Sequence, residues 1–196
     1  LCLLIGLLVI SCAEEDNNPS DQNDLVEDIG TLINESDQFI FFASLISSAD
    51  IEIPDGEMGI LEMLTDLESS DFYNVFAPSD EFFKALAVEW SNDDFSASVE
   101  DVISEFTHNR QAAKTRDFVL GHIFKNGEML KAKGFKEDLE LRSLKGIEWT
   151  MKSDQASPSG FSFVLGDNEL TPSAYKIAKT DLLLGKNGVV HSALVN

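Results

Sequence analysis

The residues able to do chemistry are few and scattered. Three histidines, His108, His122 and His191, and two cysteines, Cys2 and Cys12, are all the imidazole and thiol in 196 residues. A histidine metal site needs ligands at helical or strand spacing, and a nucleophilic site needs Ser or Cys with a base at hand. Neither pattern occurs, and there is no Walker-type glycine loop or nucleophile elbow. His122 lies in the apolar run 118–124, where a core histidine bonded to backbone competes with a ligand or base. The 35 acidic residues could furnish a glycosidase pair, but their number singles out none. Asp93 and Asp94 lack the spaced acid, Gly and Glu pattern of a calcium loop. The expectation is a chain without catalytic residues, metal or cofactor.

Charge is distributed unevenly. No Lys or Arg precedes Lys84, whereas 19 acidic residues do; from 84 onward 16 acids face 14 bases. Such a surface repels polyphosphate, which excludes nucleic acid as an expected partner, and it gives no attraction to anionic lipid. A basic partner or divalent cations would be drawn to it, although solubility alone also accounts for the acids. Both cysteines precede the region that reads as folded, so no disulfide braces the core.

Residues 1–11 begin with ten apolar residues, the length of a secretory h-region and too short to span a bilayer. Val9, Ile10, Ser11 and Cys12 resemble a bacterial lipobox, which implies a lipid anchor on Cys12. Residues 12–24 lack the apolar surface to order themselves and read as an acidic tether. Glu14, Glu15 and Asp16 are similar to the export signals of Gram-negative surface lipoproteins, so the expected location is the outer membrane, facing outward.

Residues 25–196 read as one domain. Leu25, Ile29 and Leu32 have helical spacing, as do Phe39, Phe42, Ala43 and Ile46 behind Ser36 as a candidate cap, then Ile60, Leu64 and Leu67 after a Pro54-Asp55-Gly56 turn. Tyr73, Val75 and Ala77 alternate as a strand with one buried face, ended by Pro78. Ser79 and the acids Asp80 and Glu81 open a helix carrying Phe82, Phe83, Leu86 and Trp90. Ser98 and Asp101 form a capping box, and Arg110, Lys114 and Arg116 make the first basic cluster, a place for partner contact. The last third alternates as strands: Leu139 to Ser143, Ile147 to Met151, Phe161 to Leu165 and Tyr175 to Lys179. Asn187-Gly188 suits the positive φ of a tight turn.

Several of these stretches together resemble the fasciclin (FAS1) domain family. Asn74, Val75, Phe76, Ala77, Pro78, Ser79, Asp80 and Phe83 match its first signature, with Phe82 where Ala is usual. His122 matches the family histidine, with Gly121 in place of the preceding tyrosine, and Leu144, Lys145 and Gly146 match its hairpin. Asn187, Gly188, Val189, Val190 and His191 match the second signature. Asp181 and Leu182 stand where adhesive relatives carry Asp-Ile, a segment linked to receptor contact; a turn acid is the alternative reading.

The resemblance implies an α+β fold, with N-terminal helices packed on two small β-sheets. It implies noncovalent binding of extracellular protein or glycan in adhesion or matrix attachment. Two other classes stay open: an accessory glycan-binding lipoprotein of a nutrient-uptake system, and a hydrolase built on the same scaffold.

Overall fold

A computed structural model describes residues 25–90, 98–104, 111–165 and 174–195. The expected signal segment 1–11, the expected tether 12–24 with Cys12, and Asp93, Asp94, His108 and Arg110 lie outside the described residues.

Three short helices come first: α1 (Ile29–Glu35), α2 (Ile40–Ala49) and α3 (Ile60–Thr65). The first is capped by the Asp28 carboxylate, which accepts the N–H of Thr31 at 2.7 Å, so the helix starts later than the Leu25 pattern indicates. The cap expected from Ser36 for α2 is supplied from elsewhere: the Phe41 N–H donates to Asp80 Oδ1 at 3.1 Å, across 39 residues of sequence. Asp50 caps α3, accepting from Ile60 and Leu61 at 2.8 Å each.

Strand β1 (Phe72–Pro78) follows, then α4 (Asp80–Trp90), α5 (Val99–Ser104), α6 (Gln111–Gly121) and β2 (Ile123–Asn126). The Ser98–Asp101 capping box forms in both directions, with Asp101 N–H to Ser98 Oγ and Ser98 N–H to Asp101 Oδ2. A 3-10 turn, Ala132–Gly134, precedes β3 (Glu140–Arg142), β4 (Glu148–Ser153), β5 (Phe161–Leu165), β6 (Ala174–Gly185) and β7 (Gly188–Val195).

These strands correct the expected architecture. Instead of helices on two small sheets, they form one mixed seven-stranded sheet in the order β2-β1-β7-β6-β5-β4-β3, parallel only between β1 and β7. The cause lies in β6. It is twelve residues long, pairs with β5 near its start and with β7 along its length, and bends at register shifts between Ile177 and Leu183. One bulged strand thus belongs to both halves and makes them continuous.

The bend curls the sheet on itself. Aromatic rings from five strands converge inside: Phe76 of β1 lies 4.7 Å from Phe163 of β5 and 6.0 Å from Trp149 of β4, and Trp149 stacks on Tyr175 of β6 at 5.1 Å. Phe124 of β2 meets Phe76 at 5.5 Å. At one end the two outer edges touch, where Leu144 N–H, just after β3, donates to Ile123 O at the start of β2 at 2.8 Å. Closure removes exposed strand edges there.

Strand β1 departs from its expected single buried face, because every residue from Tyr73 to Pro78 is buried. It is an interior strand, flanked by β2 and β7, with the curled core on one side and α4 packed on it. Strands buried on both faces read as continuous apolar runs, which is what residues 75–78 are.

Candidate functional site

The residues that carry the sequence motifs are mostly occupied in joining elements. Asn187, at the β6–β7 turn, accepts the Ile29 N–H at 3.0 Å through Oδ1 and donates Nδ2 to Leu64 O at 2.8 Å, tying the start of α1 to the end of α3. It has a negative φ, as does every described residue here except five elsewhere, so the positive-φ explanation for Asn187-Gly188 is replaced by contact requirements. Gly188 is required because a Cβ there would stand 2.1 Å from the Tyr73 carbonyl oxygen. Asn74 holds the loop after β2, accepting the Leu130 N–H at 2.6 Å. Pro78 ends β1 opposite Ala193 of β7, and Asp80 caps α2.

Both described histidines are buried and neutral. His122 Nδ1 lies 2.8 Å from Phe118 O, so that nitrogen carries the proton, and burial holds the imidazole pKa down at about 4. Its ring sits among Phe42, Phe118, Trp149 and Tyr175. His191 stacks on Phe76 at 4.7 Å and is likewise held at about 4 by burial. Its Nε2 donates to Leu130 O at 2.9 Å, which leaves Nδ1 to accept the Asp181 N–H at 3.1 Å.

Asp181 is the hinge of the β6 bulge. It adopts φ 49°, a conformation few residues other than Gly and Asn take up, and its carboxylate accepts the Ala132 N–H at 2.9 Å. Burial raises its carboxyl above the usual value, against the pull of the Ala132 N–H and of Lys131 and Lys133. Leu182, beside it, is half-buried against the core. Asp181, Leu182 and His191 are therefore brought together as one brace between β6, β7 and the loop at 130–132.

Lys114 and Arg116 lie on α6 in different settings. Lys114 is exposed. Arg116 is buried, and its guanidinium donates to Asp50 Oδ1 at 3.0 Å, Glu57 Oε2 at 3.2 Å and Met58 O at 2.7 Å. That fork fastens the loop 51–59 onto α6. Replacing Arg116 with Met keeps the stem and removes the fork. The expected cost is about 2 kcal/mol, below the usual loss for breaking a fully buried pair because Glu57 is half exposed. Denaturant unfolding measures it, and hydrogen exchange at 57–60 should accelerate with it.

Beside this fork runs an open groove of about 710 Å³, between the 51–59 loop, α6 and the turn after β3. Ile53, Pro54, Ala113, Leu120 and Leu144 give it an apolar lining, while Glu52, Glu57 and the 2.5 Å Lys145–Asp117 pair supply charge. The apolar residues 51, 53 and 58, set among acids and a Pro-Asp-Gly turn, signal an exposed apolar loop, and of these Ile53 lines the groove. What was not visible is that Arg116 reaches back to fasten them. Among the described residues, no group of three or more His, Cys, Asp or Glu is placed to hold a metal, and no helix is long and apolar enough to cross a membrane.

No family model and no curated protein matches the chain. Among solved structures, it is similar to a FAS1 domain pair from the insect cell adhesion molecule fasciclin I, with a TM-score of 0.57 at 7% identity. The match covers 87% of this chain and 50% of that one, so the chain spans half the length of the domain pair. At that identity the likeness speaks to the fold alone, and the fold of this chain is FAS1-like.

Proposed function

We propose that the chain is a noncovalent binding module acting in adhesion or matrix attachment, held at the outer surface of a Gram-negative type bacterium by a lipid on Cys12 and a tether over 12–24. The observation that carries this is the use to which its polar motif residues are put. Asn74, Asn187, Asp80, Asp181 and His191 each bond backbone of another element, so the groups best suited to chemistry hold the fold together. What faces solvent is shape, apolar surface and charge, which are the means of a binder. A fold like that of an insect cell adhesion molecule supports the reading.

Exposed aromatic platforms would favour the glycan-uptake alternative. Trp149, Tyr73 and Tyr175 are instead buried, so none of these three presents a stacking face to sugar, and the side chain of Trp90 lies outside those described. The test is binding of the full chain, in mild detergent, to arrays of matrix proteins and glycans at two salt concentrations. Saturable binding to one class supports the proposal, and silence across both arrays rejects a stand-alone adhesin.

A further inference from the structure

We infer that the groove beside α6 is a docking site for a polypeptide segment that pairs apolar anchors with Lys or Arg. This rests on the binding-module reading and names its partner class and its place. Four of the eight large apolar side chains found exposed among the described residues fall in one stretch of eleven residues. They are Ile51 at 77%, Met58 at 50%, Ile53 at 40% and Leu61 at 39% relative exposure. Single exposed apolar residues need no explanation, but a run of them around Ile53, which itself lines the groove, marks an interaction surface.

The cluster is also rigidly presented. The C-terminal end of the loop is tied to Asp50 at its start, through the N–H groups of Ile60 and Leu61, and to Arg116 of α6, through Glu57 and Met58 O. The Pro54–Glu57 turn closes between them with a 3.0 Å bond. A loop already fixed in shape loses little entropy when a partner settles on it, so its apolar contacts convert efficiently into affinity.

Charge selects the occupant. Glu52, Asp55 and Glu62 are exposed around the apolar side chains, and no base occurs anywhere in residues 1–83. Across the groove, Arg116 is spent on Asp50 and Glu57, and Lys145 on Asp117, while Lys114 on α6 is exposed but does not line the groove. The rim is left with excess negative charge, which repels acidic protein, carboxylated or sulfated glycan, and a second copy of this acidic chain, and attracts cationic polypeptide. Hydrophobic anchors in the groove with bases against the rim satisfy both features at once.

The test is panning of a phage-displayed random peptide library against the full chain, followed by affinity measurement on synthetic peptides. Enriched sequences are expected to join Leu, Phe or Trp to Lys or Arg, and to bind about tenfold more weakly when the bases become Glu. Ile53→Asp and Met58→Asp, both at exposed positions that leave the core intact, should each weaken binding about tenfold or more. Enriched peptides without bases, affinity indifferent to both substitutions, or self-association relieved by Ile53→Asp each overturn the inference. Array binding to a glycan that survives both substitutions also overturns it while leaving the binding-module reading standing, so the two failures are distinguishable.

Discussion

Replacing Gly188 with alanine is expected to destabilise the chain by about 4 kcal/mol, which in a domain of ordinary stability removes a large share of the total. A Cβ at this position would stand 2.1 Å from the Tyr73 oxygen, 3.0 Å from the Tyr73 carbonyl carbon and 2.9 Å from Ile29 Cδ1. Extra atoms in a packed core normally cost about 1–3 kcal/mol because side chains can shift. Here the obstacle is the backbone of β1, in register with Gly188 across the parallel pair, and the Tyr73 N–H beside it donates to Asn187 O at 2.9 Å. Relief means separating β1 from β7 and pulling Asn187 off α1 and α3 together. Gly127→Ala, with nothing within 4 Å of its Cβ, is the control and should stay near wild type. Urea unfolding of the two variants decides it, and equal midpoints would sink the close-approach argument.

The local grammar of this chain was legible wherever a residue acts on its own neighbours. The Ser98–Asp101 box forms, the Pro54-Asp55-Gly56 turn forms, and the alternation of Trp149 with Met151 and of Phe163 with Leu165 places those side chains inside. Long-range effects were not legible. Asp80 looks like an acid for its own helix, yet it caps a helix 39 residues away, and Arg116 looks like a surface base, yet its fork is closed inside the protein. The two-sheet architecture failed for the same reason. Alternation identifies strands but not their order, and joining the halves depends on a bulge whose bracing bonds, Asp181 N–H to His191 and Asp181 to Ala132, span 10 and 49 residues. The candidate groove was hidden likewise, since three separate elements line it.

Acidification from pH 7 to pH 4 should destabilise the fold by about 6 kcal/mol, the combined effect of two histidines that fold neutral. Each is held at about 4 against 6.5 when unfolded, a difference worth about 3 kcal/mol. The sign follows from proton counts. Between pH 4 and 6.5 the unfolded chain binds protons that the native chain refuses, so stability is full above about 6.5 and is lost as pH falls through that window. The structure gives each refusal a cause. A proton on His122 Nε2 would meet no acceptor among the rings around it, since that atom has no hydrogen-bond partner. A proton on His191 Nδ1 would face the Asp181 N–H, turning an acceptor into a second donor, although the Asp181 carboxylate 3.7 Å away softens the conflict. Carboxylates enter only at the acid end of this window. Asp71, Asp101 and Glu137 are held below their usual values by Lys125, Ser98 and Ser153, so their contribution begins to fall at pH ~5 and is lost mostly at more acid pH, while the raised Asp181 acts in the opposite sense. The measurement is the urea midpoint at a series of pH values for wild type and His122→Leu. The variant's starting stability is immaterial, because the readout is slope: roughly half the dependence between pH 6.5 and 4 should vanish with one imidazole. An unchanged slope would mean that the buried His122 is not what makes the fold sensitive to acid.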